Sequence, residues 1–358
     1  MSAYKLLYIN HPEGDYGGSF LFLGLRHELG SENVITYPRK DSYYGQEHHY
    51  SVKDIPNGLT GPFPWVPAFP DPYPEEYRDR PQEYVGKLLT SGEFDAVVLE
   101  SAREYSIKGY DEFLPIIRSR NLPVAVVDGE DFWQFRDEIL AYQFPIYLKR
   151  EVNKDRYPIN FKLGNTYVES FPFSCPLEEV ASLAGVQGPD RGNLVRDIFF
   201  SAGATSKDRE VAVRALRGDR EGYTAHVALA PDYERQAPGG SAPTNPNLLP
   251  WNLHLQEMSR SKMALSVRGF GEDTCRYWDA AATSVLVTHD LKIHIPNPFT
   301  DGVNYLRLDI LEQLPQFVRK WKDNPVLDDI AKAGREHVEK FHSTRARAKR
   351  LLELLGNA

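Results

Sequence analysis

Cysteine and long apolar runs are what this chain has least of. Its two cysteines, Cys175 and Cys275, stand far apart with no metal-like spacing. That excludes a disulfide scaffold and points to a reducing, cytoplasmic setting in which both are ordinary buried thiols. No stretch approaches the roughly 18–20 apolar residues a membrane span needs, and Met1-Ser2-Ala3-Tyr4-Lys5 leads into a short strand rather than a signal-peptide core. Positive charge is also scarce: 42 Lys and Arg against 50 Asp and Glu leave a formal −8, which argues against a protein built to coat nucleic acid. No Asp-x-Asp pair sits at a strand end, His48-His49 has no partner ligands in sequence, and no internal repeat is visible.

What is present is the alternation of short apolar runs with amphipathic stretches that builds α/β domains. The 358 residues, 41% of them hydrophobic, are enough for two such domains. Lys5–Asn10 reads as a first strand, the stretch with Phe20, Leu21, Leu23, Leu25 and Leu29 as a helix, and Val34–Tyr37 as a second strand. The Gly17-Gly18 pair between them lacks a full dinucleotide fingerprint. From Ile55 to Pro81, eight prolines interleave with Phe63, Trp65, Phe69, Tyr73 and Tyr77, a pattern that fits neither helix nor central strand and is too aromatic for a disordered linker. Phe94–Leu99 and Pro123–Val127 are buried strands, each followed by polar residues where ligands meet a parallel sheet. The domain boundary falls in the proline- and glycine-rich stretch 157–193. Beyond it, Asp197–Phe200 starts a new sheet, Ser201–Ser206 is a small-residue loop containing Gly203, and Lys207–Leu216 is a helix.

The most informative stretch is Ser261–Tyr305. An apolar strand, Met263–Val267, runs into Arg268-Gly269-Phe270-Gly271, then Glu272, Asp273 and Thr274 at a helix start, then Cys275, Trp278, Ala281 and Ala282 at helical spacing, then the strand Val285–Thr288. A strand, a glycine turn and a helix N-terminus present free N–H groups and a positive dipole end, an arrangement that binds phosphate. Arg276, Asp279 and Thr283 share a separate helix face. That face offers a cation to a diphosphate and a carboxylate to ribose hydroxyls, unless Arg276 and Asp279 simply pair with each other.

The pattern S-K-M-A-L-S-V-R-G-F-G-E-D-T-C-R-Y-W-D-A, followed by I-P-N-P-F-x-D-G and A-G-R-E-H-V-E-K-F-H-S, resembles the carboxyl-terminal domain of the CgeB/YkvP-like glycosyltransferases, part of the GT-B superfamily that includes the family 4 type. The likeness runs from about Arg196 to Leu355. It implies a GT-B-like α/β fold, two Rossmann-like domains facing a cleft, with residues 1–170 as acceptor domain, 171–340 as donor domain, and a last helix, 341–358, packing back on the first. It also implies a glycosyltransferase using a nucleotide-sugar, with Arg268 and Arg276 on the diphosphate and Asp279 on the ribose. In the family this acid is usually Glu and the following turn often holds Gly; here they are Asp279 and Thr283-Ser284. The donor site is therefore expected at Gly203, Arg268, Gly269, Gly271, Glu272, Asp273, Thr274, Arg276 and Asp279.

Across the cleft, His11, Asp15 and Asp128 are candidates for a general base, with helix capping or a surface turn as their alternative roles. Metal independence follows from the missing Asp-x-Asp motif, with fixed cations meeting the leaving diphosphate. No cofactor is expected beyond the nucleotide-sugar co-substrate. The acceptor is left open among glycan, small molecule, protein and modified nucleic-acid base. A non-catalytic nucleotide-sugar or glycan sensor and a sugar-nucleotide epimerase are rivals on the same fold.

Overall fold

The computed structural model describes residues 4–11, 16–40, 72–230, 249 and 251–356. In chain order the first elements are β1 (Leu6–Ile9), α1 (Tyr16–Leu29), β2 (Val34–Tyr37), α2 (Glu75–Asp79), α3 (Pro81–Ser91), β3 (Ala96–Leu99), α4 (Glu104–Asp111), α5 (Leu114–Ser119), β4 (Val124–Asp128), α6 (Asp137–Tyr142), β5 (Ile146–Lys149), β6 (Asn160–Leu163) and β7 (Thr166–Ser170). They are followed by α7 (Leu177–Ala184), β8 (Arg196–Gly203), α8 (Lys207–Gly218), β9 (Ala225–Ala230), α9 (Trp251–Ser259), β10 (Ser261–Leu265), α10 (Cys275–Thr283), β11 (Val285–Thr288), β12 (Leu306–Arg307), α11 (Leu314–Trp321), α12 (Val326–His337) and α13 (Thr344–Gly356).

The strands form two sheets, ordered β2-β1-β3-β4-β5-β7-β6 and β12-β11-β10-β8-β9. All their pairings are parallel except that of β6 with β7. The apolar runs are buried on both faces because helices cover both sides of a parallel sheet; β1, β3 and β5 read Leu-Leu-Tyr-Ile, Ala-Val-Val-Leu and Ile-Tyr-Leu-Lys, and every residue is buried. Among the parallel strands the order reverses between β1 and β3 in the first sheet and between β8 and β10 in the second. Ligands of such sheets bind at the carboxyl ends of those strands. The fold is GT-B. Among the described residues, no helix is long and apolar enough to cross a membrane.

The β6–β7 hairpin lies inside the stretch read from sequence as a domain boundary; β6 alternates between exposed and half-buried residues and so gives little apolar signal. Residues 41–71 of the proline-rich excursion, with His48-His49, lie outside the described residues. In its last part Glu75–Asp79 is helical, a correction to a helix-free reading: Pro74 stands just before the helix, where it removes no helical N–H bond. Tyr73 and Tyr77 are buried there. The Tyr73 hydroxyl accepts from the Thr36 amide at 3.0 Å and donates to the Val34 carbonyl at 3.0 Å, while the Tyr77 hydroxyl donates to the Thr36 carbonyl. These two hydroxyls thus satisfy backbone groups of Val34 and Thr36 on the free side of β2 among the described residues.

The last helix packs on the first sheet's core. Ala348, Leu351 and Leu355 of α13 join Phe22 and Leu25 of α1, and the helices touch because Gly24 has no side chain: a Cβ there would lie 2.1 Å from the Thr344 carbonyl oxygen. Gly24→Ala must push the two helices apart, since backbone cannot turn aside. The variant is expected to lose about 1–3 kcal/mol of stability, seen as a lower urea midpoint at unchanged m-value.

Candidate functional site

At the reversal point of the second sheet sits a buried arginine. Helix α8 starts at the N-cap Ser206, whose side chain accepts the Arg209 amide, so Arg209 falls in the first turn and reaches back under the strand ends. Its Nη1 donates to the Gly203 carbonyl at 3.0 Å and its Nε to the Arg268 carbonyl at 3.0 Å. Both acceptors are neutral. Burial, and then the neighbouring Arg276, push the Arg209 pKa down to about 9, with Asp131 opposing. Among the described residues no carboxylate forms an ion pair with Arg209. Arg209, 7% exposed and without a bonded carboxylate among the described residues, is a buried positive charge with Arg276 as its cationic neighbour.

Gly203 closes β8 rather than lying in the loop after it, and serves by its carbonyl. Gly269 is needed because a Cβ would sit 2.8 Å from Arg209 Nη2. Arg276 lies in the first turn of α10, its guanidinium 5.9 Å from the Phe200 ring centre. Asp279, one turn on, is buried with its Oδ1 3.9 Å from Cys175 Sγ. Burial raises its carboxyl to about 7 against the opposing pull of Arg276.

Arg268 is placed differently from its sequence reading. Its Nε lies 3.3 Å from Asp208 and its Nη1 3.0 Å from Glu272, so two carboxylates already neutralise it. Glu272 is likewise committed. Burial alone would raise its carboxyl, but hydrogen bonds from His289, the Lys292 amide and Arg268 outweigh burial and hold it at about 2. Asp273 is an internal bolt: it accepts the Phe173 amide at 2.6 Å and Trp278 Nε1 at 2.8 Å. Thr274 occupies the N-cap position but makes no capping hydrogen bond; its hydroxyl pairs with Ser266 at 3.2 Å. Glu272, Asp273 and Thr274, expected at the donor, thus bond within the fold and hold the loop.

The helix start itself is occupied. Glu151, just after β5 of the first sheet, accepts the amides of Asp273 at 3.0 Å and Glu272 at 3.2 Å. Gly271 is packed under this contact, where a Cβ would come within 2.5 Å of Glu151 Oε1 and 2.8 Å of Arg150 Nη2. The phosphate-binding N–H groups expected at 272 and 273 therefore serve the joint between the sheets.

On the first sheet, His11 follows β1 at the other reversal point. It is buried, its amide donates to Glu100 at 2.7 Å, and its ring meets the edge of Tyr105. Asp15 lies outside the described residues. Asp128, the third base candidate, is held inside the fold. It ends β4 fully buried, where its register partner Lys149 donates at 2.8 Å, the Tyr147 hydroxyl donates, and the Glu130 amide donates at 3.0 Å. With these donors it is 0% exposed. The acid that comes to the second sheet is Asp131, paired with Arg150 and 3.0 Å from where a Gly271 side chain would start.

Sequence reasoning missed Arg209 and the role of Glu151. The signal for the first was present: Lys207 and Arg209 put cations in the first turn of a helix, where the dipole favours acids. Glu151 stands in a Lys149-Arg150-Glu151 segment that resembles the Y-F-K-R-E of the same enzyme group, but its role has no local signal, because its partners are more than a hundred residues away.

Residues 209–353 match the model of a family described as glycosyl transferase-like. No curated protein sequence matches the chain. Among solved structures it is similar over its whole length to a glycosyltransferase from Rickettsia africae ESF-5, with 10% identity, a TM-score of 0.59 and coverage of 100% of this chain and 99% of that one. It is also similar to an alpha-glucosyltransferase in complex with UDP and a 13-mer DNA containing an A:G mismatch (12% identity, TM-score 0.57, coverage 99% and 100%). A third likeness is to the sucrose-phosphate synthase of Thermosynechococcus elongatus (11% identity, TM-score 0.55, coverage 99% and 98%).

The raised Asp279 carboxyl has a stability consequence. An unfolded Asp titrates near 3.9, so between about pH 4 and 7 the folded chain holds a proton that the unfolded chain has released. Its contribution is therefore greatest below pH 4 and falls as pH rises through the folded value near 7. Glu151, raised by burial to about 7, acts with the same sign. Asp279→Asn is expected to gain stability relative to wild type between pH 5 and pH 8, by at most about 1.4 kcal/mol per pH unit. Urea unfolding of both proteins at the two pH values measures it; an identical pH dependence removes Asp279 as the source.

Proposed function

We infer that this protein is a glycosyltransferase that uses a nucleotide-sugar donor, with the donor diphosphate on Arg209 and Arg276 and the ribose hydroxyls on Asp279. The observation that carries the reading is the buried guanidinium of Arg209 beside Arg276, bonded only to carbonyls, at the reversal point of the second sheet. A diphosphate supplies the missing countercharge. Asp279, largely buried and raised, gains donors when two hydroxyls meet it. As the bond from the sugar carbon to the diphosphate oxygen breaks, negative charge grows on that oxygen, and fixed guanidiniums stabilise it without reorganising.

The matched glycosyl transferase-like segment supports this reading, as does the UDP held by one structural relative, and UDP is the nucleotide we propose to test. The order of the R-G-F-G-E-D-T-C-R and I-P-N-P-F motifs favours the CgeB/YkvP-like subtype. We assign residues 1–170 to the acceptor side and 171–340 to the donor side. The acceptor enters across the cleft from the face carrying His11 and Asp131. Donor binding needs no metal in this scheme, because the cations are side chains.

Calorimetry with UDP separates the arginines. Arg209→Ala is expected to weaken binding by about 1.5–3 kcal/mol, the range for a lost charge-assisted contact. Arg268→Ala should cost less than about 1 kcal/mol because its charge is already met by Asp208 and Glu272. Equal affinities in folded Arg209→Ala and wild type would overturn the site. With UDP-sugars as donors, turnover is expected to persist in EDTA; loss on chelation and rescue by one divalent ion would replace the guanidinium mechanism by a metal one.

A further inference from the structure

Away from the donor site, the last turns of α1 meet the first turn of α7. His27 Nε2 lies 3.0 Å from Glu179 Oε1, and Glu178 stands next to it on α7. One ligand atom from each of His27, Glu178 and Glu179 lies within 4.8 Å of the other two. Glu178 is half-buried and Glu179 buried. Glu179 is 2% exposed, and the buried Oε2 atoms of both Glu178 and Glu179 find no hydrogen-bond donor. A carboxylate oxygen taken out of water without a donor is costly. The nearest cation does not relieve it: Arg345 reaches only Glu178 Oε1, at 3.8 Å, and is bound to Glu28 at 2.6 Å.

One imidazole nitrogen and two carboxylates with oxygens still to satisfy form an N/O donor set of the kind zinc takes, with a fourth position left for water. We propose that His27, Glu178 and Glu179 bind a zinc ion that ties α1, on the first sheet, to α7, which leads into the second. The ion meets both orphaned oxygens and replaces the hydrogen bond of His27 to Glu179 with two metal bonds. The role is a clamp: none of the three residues belongs to the donor site, and transfer does not pass through it.

Thermal unfolding with ZnCl₂, with MgCl₂ as control, tests the site. For the full chain, zinc at about a hundredfold excess over its Kd is expected to raise Tm by roughly 3–8 °C, magnesium to leave it unchanged, and calorimetry to give one zinc per chain. His27→Ala, which removes a surface-reaching ligand and leaves the fold intact, should abolish the shift, as should Glu179→Gln. UDP affinity stays at the wild-type value in both variants. No zinc-dependent shift in wild type overturns the site. So does a shift that survives in His27→Ala, which moves the zinc to other ligands such as His48-His49.

Discussion

The two sheets are joined by a carboxylate set against backbone amides. Glu151 leaves β5 of the first sheet and accepts the amides of Glu272 and Asp273 at the entrance to α10, with Arg150 beside it at 3.4 Å. A buried acid survives there because amides and a guanidinium meet it, although burial still dominates and raises it to about 7. The contact holds the residues that lead into α10. Asp273, held by Phe173 and Trp278, fixes the first turn, and Arg276 and Asp279 follow at one-turn intervals. Close approach here requires a glycine at 271, since any Cβ would enter the Glu151 and Arg150 side chains.

The arginines around the second sheet's reversal point divide by their partners. Arg268 faces Asp208 and Glu272; Arg150 faces Asp131 and Glu151. Charges met in this way hold loops together and attract an anion weakly. Arg209 differs in kind. It is buried, bound to carbonyls, and repelled by Arg276. In a low-dielectric setting such a charge is tolerated only at a cost that a bound anion removes. Position along the chain does not distinguish these arginines; the distribution of carboxylates in space does.

That division also marks what was legible in sequence. The strands read correctly because parallel strands buried on both faces are continuous apolar runs, as in Ala96–Leu99 and Val285–Thr288. The β6–β7 hairpin did not, since an edge strand with exposed Asn160 and half-buried Phe161 lacks that signature. The neighbourhood of the site was legible too, because a glycine turn between a strand and a helix is a local pattern. The roles within it were not. Asp128 looked available at a strand end, but its register with Lys149 on the adjacent strand and the Tyr147 hydroxyl neutralise it. Arg268 looked like the first anion contact, but Asp208, sixty residues earlier, takes part of its charge. In each case the deciding partner comes from another strand or helix.

One further step follows from the joint. The expected phosphate site was the N-terminus of α10, whose dipole and free amides suit an anion. Glu151 already holds that place, and a second anion on the same two amides would face a carboxylate at contact distance. The positive end of α10 is therefore spent on holding the sheets together. The diphosphate site proposed above is instead the guanidinium pair, Arg209 from α8 and Arg276 from the first turn of α10. Because Arg276 rides on the helix that Glu151 anchors, the geometry of that pair depends on the contact between the sheets. The acid that sets the joint and the arginines proposed to meet the donor are thus coupled through one helix turn.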